Sequence, residues 1–119
     1  MKKPIKTLIV VKGQFEAIHS WDKCPHKDVS FLKWPHRHIF HVVLKLIVTH
    51  DDRDLEFIKI KRILEDHLIY KYHRYDLGSK SCEMLAEEIG DYFNRLIENK
   101  VAFVSVSEDE ENSAEIYYE

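Results

Sequence analysis

Alternating hydrophobic and polar positions predict two long strands in the first part of the chain. Between residues 6 and 19 the alternation changes register at Gly13, so we expect a strand with a glycine bulge. Residues 36–50 form the longest β-rich run, and apolar side chains occupy both faces of the predicted strand. The segment 21–35 between them holds two prolines and has no period, which is typical of a loop.

Apolar residues at helical spacing predict two amphipathic helices in the middle of the chain. The apolar positions of the first are Phe57, Ile60, Leu64 and Leu68. Asp54 is its predicted N-cap, and the second helix is expected to begin near Ser81 and to close at Lys100. Strands are predicted at 101–108 and 114–118. The order β-β-α-α-β-β indicates an α+β fold, with two helices on one face of a four-stranded antiparallel sheet.

Composition and charge exclude several classes of function. The 119 residues, 45% of them hydrophobic, are sufficient for a single domain over 1–119. A net charge of −3 supplies no basic field for nucleic acid phosphates. The longest apolar run is far below the ~20 residues that span a bilayer, and a secretory signal pattern is missing. We therefore expect a cytoplasmic protein that binds neither nucleic acid nor membrane, with its two cysteines reduced.

The predicted strand over 36–50 also bears on assembly. Two helices can cover only one face of the sheet, although this strand is apolar on both faces. A monomer that exposed such a patch would aggregate. We therefore expect other subunits to bury the second face.

The candidate chemistry lies in the eight histidines, all between His19 and His73. His36 and His38 are two residues apart at the start of a strand, so their imidazoles share a face, and His19 can add a third nitrogen across the ladder. Three histidines with an open fourth position are typical of catalytic zinc. Chance alone gives about 0.5 such H-x-H pairs at this composition, so the pair by itself leaves a packing role open.

A second candidate is Glu108, a carboxylate at the end of an apolar strand. It shares a predicted face with Val104 and Val106. The paired N–H donors of a purine or pterin could satisfy such a carboxylate as an arginine does. The alternative is that Glu108 simply begins the acidic turn that follows.

Five short motifs follow one another along nearly the whole chain. They are Phe15-Glu-Ala-Ile-His19, His36-Arg-His38, Glu56-Phe57, Ser81-Cys-Glu83-Met-Leu-Ala86 and Val104-Ser-Val-Ser-Glu108. In this order and at this spacing they resemble the motifs of the 6-pyruvoyl-tetrahydropterin synthase and 6-carboxytetrahydropterin synthase family.

The resemblance implies a tunnelling fold, in which subunit sheets join into a barrel as a homotrimer or homohexamer with sites between subunits. It also implies zinc bound by His19, His36 and His38, and a pterin substrate anchored by Glu108. The implied activity is that of a zinc-dependent lyase on the side chain of 7,8-dihydroneopterin triphosphate. Its product would be the 6-pyruvoyl compound or the 6-carboxy compound used in 7-deazaguanine (queuosine) biosynthesis.

The chain departs from the family at the acid–base positions. The family's cysteine position is Leu32 here, and its Asp-His dyad falls on Tyr72 and His73. We therefore assign the proton transfer to Cys24, carried on the loop after His19, with His73 assisting.

Two further residues bear on these expectations. Cys82 opens the second helix, so we assign it a packing or capping role rather than a catalytic one. Arg37 replaces the middle glycine of the family's H-G-H motif. Because of the departures, two alternatives remain open: a divergent enzyme on a related substrate, and a non-catalytic relative that binds a pterin and a metal.

Overall fold

The computed structural model describes residues 1–119, in which two helices cover one face of a four-stranded antiparallel sheet. The elements are β1 (Thr7–His19), β2 (His36–Val48), α1 (Phe57–Lys71), α2 (Cys82–Leu96), β3 (Val101–Glu108) and β4 (Asn112–Tyr117). Neighbours in the sheet follow the order β1-β2-β3-β4. The structure confirms the predicted α+β architecture and its β-β-α-α-β-β order.

The core lies between the helices and the inner face of the sheet. The helices contribute Ile60, Leu64 and Leu68 from α1 and Leu85, Ile89 and Phe93 from α2. Strand β2 contributes Phe40, Val42, Leu44 and Leu46, all fully buried. Burying one such side chain stabilises the fold by roughly 1.5–3 kcal/mol, so this layer fixes which face of each strand is inward.

The bulge predicted at Gly13 is wrong. Strands β1 and β2 pair in one unbroken register that ends with His19 opposite His36. A Cβ atom at Gly13 would lie 3.0 Å from a Leu68 methyl carbon and 3.1 Å from a Leu64 methyl carbon. The glycine therefore allows α1 to pack closely on β1 and does not interrupt the strand.

The N-cap predicted for α1 is also wrong. Glu56 caps this helix, because its carboxylate accepts hydrogen bonds from the backbone N–H groups of Ile58 and Lys59. The Asp54 carboxylate accepts instead from the backbone N–H of Thr49, at 2.8 Å. Since the helix begins only at Phe57, Asp54 lies outside its first turn.

The boundaries of the other helices and strands lie closer to those predicted from the sequence. Ser81 caps α2 as predicted, with its hydroxyl oxygen 3.1 Å from the backbone nitrogen of Met84. The predicted loop contains a short 3-10 helix, Lys27–Lys33. Strand β2 ends at Val48 rather than at His50, and β4 begins at Asn112, ahead of the predicted start.

The outer face of the sheet, turned away from the helices, is only partly covered by the chain. Val10 is 46% exposed and Ile47 is 37% exposed on this face. The second apolar face expected on β2 is therefore left partly open to solvent.

None of the helices combines the length and the apolar character needed to cross a membrane.

Candidate functional site

The ends of two strands bring three histidines together. His19 ends β1, while His36 and His38 lie at the start of β2, and the ladder places His19 opposite His36. Because alternate residues of a strand share a face, all three rings lie on the helix-covered side. One ring nitrogen from each histidine lies within 4.8 Å of the other two. In no other group of three or more His, Cys, Asp or Glu side chains do the ligand atoms converge in this way.

Each imidazole is oriented by an oxygen acceptor at its Nδ1 atom. The acceptors are the Lys80 carbonyl for His19 (2.8 Å), the Trp34 carbonyl for His36 (2.8 Å) and the Asp109 carboxylate for His38 (2.7 Å). Carbonyl and carboxylate oxygens only accept hydrogen bonds, so each Nδ1 carries the proton. In the neutral ring this leaves the lone pair on Nε2, which is how metal-binding histidines are usually held.

Glu108 faces these lone pairs. Its carboxylate oxygens lie 3.0 Å from His19 Nε2 and 3.7 Å from His38 Nε2. The His19 Nε2 atom is buried, and despite this proximity it has no partner in hydrogen-bond geometry. A lone pair and a carboxylate repel each other unless a positive charge lies between them. The arrangement therefore requires a proton or a metal cation, and imidazole nitrogens beside a carboxylate suit zinc.

The electrostatics of the cluster agree with this geometry. Contact with the Glu108 carboxylate raises the pKa of His19, against the effect of burial. The same contact lowers the pKa of Glu108. The bond with His38 lowers the pKa of Asp109 as well. Without a metal the cluster thus favours a bound proton, and a proton and a metal ion would compete for His19.

An apolar floor lies beneath the histidines. The Phe40 ring is fully buried, with its centroid 5.3 Å from that of His19 and 5.7 Å from that of His38. Phe40 in turn stacks on Phe15 at 5.1 Å. This floor excludes water from one side of the cluster and holds the rings in place.

A cavity of about 490 Å³ opens beside the histidines, which is within the usual size range for a small-molecule site. Its wall includes Trp21, Leu32, His36, Cys82, Glu83 and Glu108. Leu32, at the family's cysteine position, thus presents an apolar side chain to the cavity. A larger depression of about 680 Å³ extends over the outer sheet face near His41, away from the three histidines.

Cys24 is not brought to the histidines. Its thiol is buried inside its own loop, with the sulfur 3.7 Å from the His26 carbonyl oxygen and 3.8 Å from that of Val29. The 3-10 helix folds the loop around this sulfur, so Cys24 does not line the cavity. The structure therefore does not show the predicted approach of Cys24 to the three histidines.

His73 also lies outside the cavity. Its Nδ1 atom accepts a hydrogen bond from the backbone N–H of Glu16, at 3.1 Å. The neutral ring therefore carries its proton on Nε2. The preceding residue, Tyr72, turns into the core and does not orient His73.

The structure reveals a thiol in the cavity that sequence reasoning had assigned only to packing or capping. Cys82, 9% exposed at the start of α2, lines the cavity near Glu108. Burial, with a contribution from Glu108, raises the pKa of the Cys82 thiol to about 12. The thiol is therefore protonated at neutral pH.

Three orienting groups were missed as well. Lys80 and Trp34 act through backbone carbonyls, for which a sequence carries no side-chain signal. Asp109 directly follows Glu108 at the end of a predicted strand, and this position was the sign in the sequence that its carboxylate could reach the site.

The chain matches known proteins in structure but not in sequence. No protein-family model matches the chain, and no curated protein matches its sequence. The 6-pyruvoyl tetrahydropterin synthase of Caenorhabditis elegans matches with a TM-score of 0.74 at 13% identity, over 100% of both chains. The fold is that of the 6-pyruvoyl tetrahydropterin synthases.

Three further solved structures match the same fold. The Plasmodium falciparum synthase has a TM-score of 0.70 at 13% identity and covers 95% of this chain and 98% of its own. A Plasmodium vivax synthase variant with a catalytic glutamate changed to alanine has a TM-score of 0.69 at 13% identity, over 94% and 97% of the chains. An uncharacterized protein from Wolinella succinogenes reaches 0.71 at 14% identity, over 98% and 100%.

Proposed function

We propose that the protein is a zinc-dependent lyase acting on the side chain of 7,8-dihydroneopterin triphosphate. His19, His36 and His38 would hold the zinc ion. The observation that carries this proposal is the convergence of three histidine ligand atoms within 4.8 Å of one another, in a synthase fold.

The residues of the chain support the proposal through the geometry that they maintain. Oxygen acceptors at the three Nδ1 atoms leave the Nε2 atoms free to bind a metal, and the Phe40 ring covers one side of the cluster. Zinc, when bound, supplies a Lewis acid that polarises an oxygen of the substrate side chain and so makes the adjacent proton easier to remove.

Glu108 is suited to hold the pterin ring. It lines the cavity, and its lowered pKa keeps it ionised near neutral pH. With a cation on the histidines, the carboxylate can accept the paired N–H donors of a pterin. Trp21 and Leu32 supply an apolar wall for a planar ring in the same cavity.

The residues that we assign to proton removal lie outside the cavity wall. We retain Cys24 as the expected base, with His73 assisting, although neither lines the cavity of its own subunit. The resemblance implies sites between subunits, where His73 of a neighbouring copy could complete the site. The catalytic glutamate of the Plasmodium vivax synthase indicates that proteins of this fold can employ a carboxylate in catalysis.

A non-catalytic relative that binds a pterin and a metal is the second candidate. Two observations favour it: Leu32 faces the cavity at the family's cysteine position, and the Cys24 thiol is folded into its own loop. Under this alternative the metal site and Glu108 persist, but no group removes the substrate proton.

Incubation of the zinc-loaded protein with 7,8-dihydroneopterin triphosphate, followed by mass spectrometry of the products, tests the proposal. We expect release of triphosphate with a 6-pyruvoyl or 6-carboxy pterin, which His36→Ala abolishes and the matched surface variant His50→Ala retains. Pterin binding without turnover would establish the non-catalytic alternative. A protein that neither binds nor converts the pterin would contradict both.

A further inference from the structure

The orientation of His19 depends on a distant segment of the chain. Its Nδ1 atom has one partner, the carbonyl oxygen of Lys80, which lies 61 residues further along the sequence. Lys80 belongs to the connection between α1 and α2, and this connection is tied to the end of β1 by a 2.9 Å hydrogen bond from Ser20 N–H to the Gly78 carbonyl.

The Lys80 side chain is anchored to α2. Its ammonium nitrogen lies 2.8 Å from one carboxylate oxygen of Glu88. The other carboxylate oxygen of Glu88 accepts a hydrogen bond from the Tyr72 hydroxyl at 3.0 Å. Glu88 therefore links the connection before α2 to the residue that follows α1.

The Lys80 and Glu88 side chains are 37% and 34% exposed, and such a pair alone contributes little. The hydrogen bond from the Tyr72 hydroxyl connects this pair to the core. Tyr72 is only 1% exposed, and its ring stacks on Phe15 at 5.2 Å. Phe15 stacks on Phe40, the floor of the histidine cluster. Burial would raise the pKa of Glu88, yet hydrogen bonds from Lys80 and Tyr72 lower it, so the carboxylate stays ionised.

We infer that Glu88 is a positioning residue for the metal centre. By holding Lys80 in place, it fixes the carbonyl that keeps the proton of His19 on Nδ1 and leaves Nε2 free for a metal ion. This inference rests on the proposed metal binding by His19, and it extends the site to a side chain that lies outside the cavity wall.

Zinc affinity tests the inference. Competition with a chromophoric chelator would give dissociation constants for Glu88→Gln and Lys80→Met, with Glu87→Gln as the exposed control next to Glu88. Losing the direct outer-sphere partner of a metal ligand typically costs 10–100-fold in affinity. Because the first two variants loosen the Lys80 carbonyl without removing it, we expect binding weaker by about tenfold, the lower end of that range, and no change in the control. Lys80→Arg keeps the ion pair and should keep the affinity of the wild type.

The two changes should also depend on each other. Because Lys80 and Glu88 act as one pair, the double variant should bind zinc no more weakly than the weaker single variant. Independent effects that add in full would contradict a shared role, and a lower melting temperature with unchanged zinc affinity would show a merely structural one.

A second readout does not require metal. Proton NMR of the metal-free protein, at a pH where the His19 ring is protonated, reports whether its Nδ1–H is hydrogen-bonded and slow to exchange with water. We expect a protected Nδ1–H in the wild type, where the Lys80 carbonyl accepts from it, and faster exchange in Lys80→Met and Glu88→Gln. If both variants keep the wild-type protection and zinc affinity, the inference is wrong. If the wild type binds no zinc but the protection is lost in the variants, the positioning role stands and the proposed function fails.

Discussion

His19 on β1 and His36 on β2 face each other across the ladder, with ring centroids 4.5 Å apart. His38, two residues further along β2, joins them on the same face. The cluster therefore follows from the register of one strand pair. A slip by one residue would send His36 and His38 to the outer face of the sheet, which is why the unbroken pairing of β1 with β2 matters for the site.

Glu108→Gln should weaken pterin binding by roughly tenfold or more, because losing a charge-assisted hydrogen bond costs ~1.5–3 kcal/mol. Glu110→Gln and Glu111→Gln should bind as the wild type does, since both residues are exposed on the β3–β4 hairpin. Equilibrium titration with a dihydropterin measures all three. Similar losses in the three variants would indicate that Glu108 belongs only to the acidic turn.

The proton acceptor is tested by three variants with zinc content verified in each. We expect Cys24→Ser to lose turnover and His73→Ala to reduce it, whereas Cys82→Ser should retain it because the Cys82 thiol has a pKa of about 12 and stays protonated. Steady-state rates on 7,8-dihydroneopterin triphosphate provide the measurement. Full turnover in Cys24→Ser together with its loss in Cys82→Ser would transfer the role to the cavity thiol.

His67 should make the protein less stable in mild acid. Its ring stacks on Tyr92 with centroids 3.9 Å apart, and burial, assisted by the charge of Lys71, lowers its pKa below the ordinary 6.5. The unfolded chain therefore binds a proton that the folded chain resists, so the free energy of unfolding decreases as the pH falls below about 6.5.

Urea unfolding of the wild type and of His67→Phe at several pH values measures this contribution. The difference in unfolding free energy between the two proteins should shift in favour of the variant from about pH 7 to about pH 5. His50→Gln, at an exposed histidine, serves as the control and should follow the wild type. A pH-independent difference for His67→Phe would contradict the assignment.

The exposed outer face of the sheet predicts assembly. Val10 and Ile47 are 46% and 37% exposed there, and exposed apolar patches of this kind mark contact surfaces. We expect a homotrimer or homohexamer in light scattering at micromolar concentration. A monomer under those conditions would remove the support for a site between subunits, on which the role of His73 depends.

The fold could be predicted from the sequence wherever local periodicity decides the structure. The bounds of β3 and the cap at Ser81 follow from alternation and from capping chemistry. Local sequence does not show why a glycine is needed at position 13. The need arises because helix α1, from a distant part of the sequence, packs closely against this residue. The true cap Glu56 was missed because Asp54 is the more common capping residue.

The candidate site, like the fold, could be predicted only where a local sequence pattern decides the structure. The convergence of His36 and His38 follows from the two-residue period of a strand, and that of His19 from pairing of neighbouring strands. The partners that orient the rings do not follow from any local pattern. The Lys80 carbonyl is 61 residues from His19, and the Asp109 carboxylate is 71 residues from His38, so only the folded chain brings them together.

Zinc analysis of purified protein tests the three-histidine metal centre most directly. We expect about one zinc ion per subunit in the wild type and almost none when His19, His36 and His38 are all changed to alanine, since a zinc site needs three or four ligands. The matched control is His41→Ala, on the opposite face of β2, which should keep its zinc while circular dichroism verifies folding in each variant. Undiminished zinc in the triple variant, or a wild-type protein that takes up none, would contradict the account.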